Sequence, residues 1–569
     1  ITVEREVRRL PDECYALKQG EPDPHFPNMV NPKVWDLYAD YYRDFFYDKP
    51  LEQYASISAE DGLILDERPE SRKLDSNEYD WTMGAQSATD RLWFFHNRYL
   101  DQVTAEHPDR KFGVLVYANN LTPPRVETVH PDMALVFAPL GICPLHDVRD
   151  EKCKTNRAYR PWLESWTAQA RAAGAEMYYY DYFPIGYQWS NFILSPQWQI
   201  IGRNYPWFHQ MGLDGHTTQG FDDFGAMGLT AWVAMRLYWD VDQDYNDLVA
   251  EYCRARFGES AAEAMHAYYR VFEQRMDEVP DLCSNEIWGT HLAIDAETRA
   301  KGRAALAKAQ PLIEGARARE HFDMVVAFQE AMDAWCDGID HARETGDFAA
   351  AAEMMEPAFE IRDQLNTRYS HFINPKQTDK TSIRRYQAGG WFNKYRVWAG
   401  ILDESSAHVV LPRYMKVALD SDNLAQARGW HRPDVAVDHL EDWDSTVVPD
   451  VKYQTQREPA AFFYCTEVDV PAAFADSDSV ALFFPSLIAR ALQIWVNGQP
   501  VTFDHGDYTD EAWRGPTYFW ENYNHSQMFD VTPHIQPGRR NTIAFRVFKS
   551  FDHGGAYDRL FLLANPPAE

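Results

Sequence analysis

Between residues 31 and 240 the apolar positions alternate between two periods. NPKVWDLYADYYRDFF (31–46) repeats them every three to four residues, as a helix with one buried face does. YASISAEDG (54–62) reads as a strand running into a loop. SATDRLWFFHNRYLDQVTAEH (87–107) reads as a helix with Ser87 as its N-cap. FGVLVYA (112–118) and MALVFAP (133–139) are short apolar runs bounded by polar residues, hence strands. RPWLESWTAQARAAG (160–174) is a helix closed by Gly174, and AEMYYYDY (175–182) is a strand. A helix at 196–211, the strand LDGHTT (213–218) and the helix GAMGLTAWVAMRLYWD (225–240) follow. Strands separated by helical segments predict parallel β-α-β units. Five strands are counted where a closed (β/α)8 barrel has eight. Either residues 1–30 hide one more strand or the first strands of a barrel lie upstream of Ile1; the second is favoured, because the opening ITVEREVRRLPDECYALKQG reads like mid-domain sequence.

From about 241 to 375 the period stays helical: DYNDLVAEYCRARFG, SAAEAMHAYYRVFEQRMDEV, AETRAKGRAALAKAQPLIEGARA and segments from 319 to 368. From about 376 onward short strands dominate, among them AAFFYCTEVDV, SVALFFPSL, ALQIWVNGQPVTF and NTIAFRVFKS. The fold class predicted is therefore multidomain, α/β plus all-β. A (β/α)8-type barrel spans 1–240, an α-helical domain 241–375 and an antiparallel β-sandwich 376–569. In the last of these, Asn497-Gly498 suits a type I′ hairpin turn.

At 569 residues the chain exceeds what one core holds, and about two to four domains are expected. The formal charge of −31 repels nucleic acid and polyanions, which makes a neutral glycan the easier substrate. Seven cysteines are scattered without a CxxC pair, and only Cys143 and Cys153 are spaced for a local disulfide. His146 lies near both, but the spacing fits no standard zinc pattern, so no metal is expected. No cofactor is expected either: phosphate-loop, Rossmann, HExxH and nucleophile-elbow patterns are absent. No apolar run approaches the 18 residues of a membrane span.

Candidate chemistry gathers at strand ends, where a barrel presents its active site. Aromatic rings cover the C–H face of a sugar, and a pair of carboxyl groups with split pKa values cleaves its linkage. The first candidate pair is Glu60 and Asp61. Adjacent residues on a strand point to opposite faces, so one of the two is chosen: Asp61, exposed by the Gly62 turn, with Glu60 as alternate. The competing reading is that Asp61 caps its own loop. The second candidate is Asp181, among tyrosines; the plainer reading is a buried Asp bonded to Tyr or Arg. Tyr117, Asn119, His146, Tyr182, Trp189, Trp207, His216, Gln219 and Asp222 are candidate substrate contacts, although Asp222 and Asp223 also suit an N-cap of the next helix. Trp288 and His291, in the loop SNEIWGTH (284–291), are the candidates from the helical region. Each of these taken singly is as well explained by packing.

Two stretches resemble known families. IWVNGQPV (494–501), FDVTPHIQPGRRNTIAFRV (529–547) and Gly554-Gly555 resemble the sugar-binding jelly roll of family 2 glycoside hydrolases. The first 370 or so residues resemble glycoside hydrolase family 163 and its uncharacterised relatives. The residues that carry this are ISAEDG (57–62), Tyr117 with Pro123-Pro124, and the set Cys143, His146, Cys153 and Asn156. Trp166, YYYDY (178–182), GLDGHTTQG (212–220) and RLYWDVDQDYNDLVAEYCRARFG (236–258) continue in the same order. The resemblance implies a (β/α)8 catalytic domain and a retaining endo-β-N-acetylglucosaminidase acting on complex N-glycans. The chain departs from the pattern at LILDERPES, which lacks a cysteine pair, and at Gln219, where relatives can carry Glu. An amide cannot ionise, so Gln219 cannot replace a nucleophilic carboxylate.

The expectation is a secreted or periplasmic glycosidase whose partner is an oligosaccharide or polysaccharide, with its signal peptide outside this chain. Two alternatives stand beside it. One is a non-catalytic glycan-binding protein, motivated by Gln219. The other is an α-glucuronidase-like enzyme, which needs a basic pocket and has only Arg125 and Arg203 to offer.

Overall fold

The computed structural model describes residues 10–59, 65–80, 85–139, 142–143, 145–182, 192–218, 224–279, 293–369, 380–381, 388–420, 424–444, 460–489, 491–503, 518–519, 523–549 and 555–567. The fold is mixed α/β: a parallel half-barrel sheet with helices against it, further helices, and antiparallel sheets toward the C-terminus.

The parallel sheet has five strands: β1 (Tyr54–Ser56), β2 (Lys111–Val116), β3 (Met133–Phe137), β4 (Glu176–Asp181) and β5 (Gly215–Thr218). They neighbour one another in chain order and all pairings are parallel. Sequential order is that of a barrel wall; a doubly wound sheet reverses direction part-way. The helices are α1 (Pro32–Asp48), α2 (Thr89–Thr104), α3 (Lys154–Ala173), α4 (Gln197–Met211) and α5 (Phe224–Trp239). Three of these starts have a local cause. Asn31 accepts the Lys33 N–H and Pro32 takes the first turn of α1. Cys153 caps α3, so this helix begins six residues before the sequence expectation of 160. Gly174 closes it in the left-handed region, φ 76°, as expected. The N-cap of α2 is Ala88 rather than Ser87, but Ser87 Oγ still accepts the Thr89 N–H at 3.2 Å.

Helices continue at Tyr245–Phe257, Glu259–Glu278, Ala296–Ala309, Ala316–Thr345, Phe348–Arg368 and Ala388–Glu404. The segment read as one helix from 296 breaks at Pro311 and restarts after Gly315. The helix Ala388–Glu404 lies where strands were expected to begin. One apolar cluster runs from Cys14 through the half-barrel and these helices to Leu402 and takes in Phe483, Phe561 and Leu563 of the C-terminal strands, so the half-barrel and the helices share a core. Among the described residues no helix is long and apolar enough to cross a membrane.

The C-terminal strands form a five-stranded and a seven-stranded antiparallel sheet. Phe484 of the first meets Phe545 of the second edge to face at 5.2 Å, inside a cluster drawn from both. The sheets therefore face each other across one apolar layer. Arg559 donates to the carbonyls of Arg343 and Glu344 and to that of Leu411, tying the sheets to the end of the helix Ala316–Thr345. The Asn497-Gly498 turn has φ 52° and 78°, the two left-handed residues of a type I′ turn. Gly498→Ala is expected to cost about 1–2 kcal/mol, read as a lower unfolding midpoint, because an L residue resists that φ. A Cβ there also meets Pro433 Cδ at 3.3 Å.

Candidate functional site

Parallel neighbours in register share a face, so the pairings assign the two sides of the half-barrel. Phe112, Val114 and Val116 are buried and pair with Met133, Leu135 and Phe137, also buried. Phe112 meets Tyr42 and Phe46 of α1 at 5.8 and 5.7 Å, and Tyr179 meets Phe208 of α4 at 4.5 Å. This is the helix-covered side. The alternate residues Leu115, Val136, Tyr178 and Tyr180 point to the concave side and are half-buried.

Tyr117 continues β2 in extended backbone (φ −150°, ψ 156°), two residues beyond Leu115, and so lies on the concave side. Tyr182 follows Tyr180 in the same way, and their rings are 4.9 Å apart. Between Tyr117 and Asn119 the chain turns sharply: Ala118 has φ 54°, a left-handed conformation costly for a residue with a Cβ. Asn120 Oδ1 accepts the Tyr117 N–H at 2.5 Å, and the Asn119 carbonyl accepts the Ala88 N–H at 2.8 Å. Asn119 itself is buried. The turn is thus held from both ends, and Tyr117 is fixed at the rim.

Asp181 takes the other direction. Two residues beyond Tyr179, it lies on the helix side, where its Oδ2 accepts from Tyr205 of α4 at 3.0 Å. Tyr205 Oη is 3.3 Å from Tyr238 Oη of α5. His216 shares this side, stacked on Tyr205 at 4.3 Å and on Tyr238 at 5.8 Å. Burial, helped by the charge of His209, pushes the His216 imidazole down to about 4. Burial and then Asp181 push the Tyr205 phenol well above its usual range. The result is a neutral aromatic stack around one carboxylate. Tyr205 and Tyr238 were not singled out in the sequence, because on amphipathic helices they read as ordinary core residues.

The remaining candidates separate. Trp207 lies on α4 with the Arg149 guanidinium over its ring at 5.7 Å. His146 is buried in the β3–α3 connection, its Nδ1 3.3 Å from Cys143 Sγ and its Nε2 3.2 Å from the Val279 carbonyl oxygen. Cys143 and Cys153 are both thiols, so the local disulfide that their spacing allows is not formed. Cys143, His146 and Cys153 form a cluster with metal-ligating atoms on every member. Arg203 is held bidentately by Asp277, at 2.7 and 3.1 Å, and Arg125 by Glu78 at 3.0 Å. Glu60, Asp61, Trp189, Gln219, Asp222, Trp288 and His291 lie outside the described residues. A pocket at the end of β1 is lined by Ile57, Ser58 and Ala59 with Tyr42 of α1 and Phe95 and His96 of α2, and so lies on the helix-covered side.

The family described as Domain of unknown function (DUF4838) matches residues 4–270, the half-barrel and the first helices after it. No curated protein matches the chain. Among solved structures, the chain is similar to β-glucuronidase from Ruminococcus gnavus in complex with N1-substituted uronic isofagomine. The identity is 14% over 28% of this chain and 30% of that one, at a TM-score of 0.23. The same enzyme in complex with D-glucaro 1,5-lactone aligns at 13% identity over 28% and 29%, with a TM-score of 0.22. Its apo structure aligns at 14% identity, 28% and 29%, and 0.22. The chain thus spans under a third of the length of these structures.

Proposed function

We propose that this chain is a glycoside hydrolase acting on a neutral or N-acetylated complex glycan, in the manner of an endo-β-N-acetylglucosaminidase. In this reading 1–240 form a (β/α)8-type catalytic domain, 241–375 a helical domain and 376–569 a jelly roll of the sugar-binding kind. One observation carries it. At the C-terminal rim of a sequentially ordered parallel sheet, Tyr117, Tyr180 and Tyr182 share the concave side, as rings that cover a pyranose would. Asp61, with Glu60 as alternate, is the proton donor in this reading; the two residues follow Ala59 in the chain. Asp181 changes role. Bonded to Tyr205 on the helix side, it positions the end of β4 and does not exchange protons with substrate.

The experiment is hydrolysis of complex N-glycans and of plant and algal polysaccharides by wild type, Asp61→Asn and Glu60→Gln. Removal of the acid is expected to lower kcat/KM by about 100-fold or more. Equal activity in wild type and Asp61→Asn removes Asp61 from the mechanism. The orientation of Asp181 also favours a second reading, a glycan-binding protein without turnover. Binding with no hydrolysis across the panel supports that reading, and any turnover abolished by a single carboxylate change sinks it.

A further inference from the structure

We infer that Cys143, His146 and Cys153 form a structural site for a divalent transition metal of the zinc class. This inference is independent of the proposed activity. All three residues are buried, at 2%, 4% and 0% exposure, and their ligand atoms lie within 4.8 Å of one another. In a tetrahedral zinc site, metal–sulfur and metal–nitrogen bonds of 2.0–2.3 Å place the ligand atoms about 3.5–3.8 Å apart. The Cys143 Sγ to His146 Nδ1 separation of 3.3 Å, a hydrogen-bond contact, lies just under that spacing, so a metal needs only a small outward shift of the two atoms.

The surroundings match the requirements of each ligand. His146 Nε2 faces the Val279 carbonyl at 3.2 Å, so Nε2 carries the proton and the Nδ1 lone pair is directed toward the thiols. The sulfurs accept backbone N–H groups, Cys143 from Leu145 and Cys153 from Asn156, each at 3.4 Å. Such donors favour the thiolate, and Cys153 also heads the 20-residue helix α3. Asn156 braces the loop: its Oδ1 accepts the Cys143 N–H at 2.8 Å, and its Nδ2 donates to the carbonyls of Cys143 and His146 at 3.2 and 2.9 Å. A metal here displaces the two thiol protons and fastens the loop after β3 to the start of α3. Through His146 it also reaches Val279, where the helix Glu259–Glu278 ends. The fourth coordination position is not assigned to a side chain.

The test uses the untagged full chain, purified without chelator. Elemental analysis is expected to give about one zinc per chain. Replacing that metal with Co2+ is expected to produce the sulfur-to-cobalt charge-transfer band and intense visible bands of a tetrahedral thiolate site. Cys143→Ser, Cys153→Ser and His146→Gln are expected to lose metal in parallel, and Cys465→Ser in the C-terminal sheet to retain it. Three results would overturn the site: no cobalt charge-transfer band with the wild-type chain, metal content unchanged by Cys143→Ser, or a Cys143–Cys153 disulfide in peptides of the unreduced protein. The cobalt titration needs no variant, so misfolding of a substituted chain does not shield the inference.

Discussion

Asp420→Ala is expected to destabilise the C-terminal sheets by about 3–5 kcal/mol. Asp420 and Arg546 form an ion pair at 2.7 Å with side chains 1% and 6% exposed. Burial pulls the Arg546 guanidinium below its usual range, and Asp420 holds it charged against that penalty. Asp420 Oδ1 also accepts the N–H groups of Leu424 and Ala425, both at 2.9 Å. These residues begin the segment whose Ala425, Trp430 and Leu440 cover Phe463, Trp495 and Ala544 on the outer side of the seven-stranded sheet. Truncation therefore strands a buried cation and frees two backbone donors together, that of Ala425 buried. Hydrogen exchange should rise first in residues 424–440, then in the strands Ala460–Asp469 and Arg540–Lys549. The double variant Asp420→Leu with Arg546→Met separates the charge penalty from the packing. It is expected to recover most of the loss, because an apolar pair often replaces a buried ion pair at little cost. A double variant as unstable as the single one would assign the effect to the lost backbone acceptor alone.

Much of the half-barrel is legible from periodicity, because each of its strands is a short apolar run between helical stretches. The side each strand-end residue takes is not. Period two says that Asp181 and Tyr182 diverge, but only the pairing of β4 with β3 and the rings of α4 show that Asp181 goes to the helices. The hairpin of Tyr15–Lys18 and Glu21–Pro27 is hidden by Pro22, Pro24 and Pro27, which argue against a strand in sequence and are tolerated in a two-stranded ribbon. The cluster of Cys143, His146 and Cys153 is equally hidden. Sequence spacing cannot show that Asn156 folds the loop back on itself and brings Cys153 to Cys143. The type I′ turn is the opposite case: Asn497-Gly498 is specified by two residues and needs no distant partner.

Acid sensitivity of the half-barrel follows from two histidines that must stay neutral. His96 on α2 is buried among Trp93, Phe95 and Tyr99, its Nδ1 2.6 Å from Tyr99 Oη, and burial pushes it down to about 3. His216, stacked on Tyr205 with Tyr238 beyond at 5.8 Å, is pushed down to about 4. In the unfolded chain both titrate near 6.5. A depressed folded pKa gives stability that is whole above 6.5 and is lost as pH falls through the folded value. At pH 4 each histidine is expected to have withdrawn about 3 kcal/mol, and the sum rivals the whole stability of an ordinary domain. Asp66, held low by Ser71 and the Leu17 and Arg68 N–H groups against its burial, adds to the loss at still lower pH. Glu273, raised by burial beside Trp198, works the other way and favours the acid side. Tertiary structure, followed by near-ultraviolet circular dichroism, should therefore fail between pH 6.5 and 4 in the wild type. His216→Phe keeps the stacked ring and removes the proton acceptor, so its acid midpoint should fall. His96→Phe should do the same at the cost of the Tyr99 hydrogen bond, about 1 kcal/mol at neutral pH. An unchanged acid midpoint in the double variant would show that carboxylates, and not these two rings, set the acid limit of the fold.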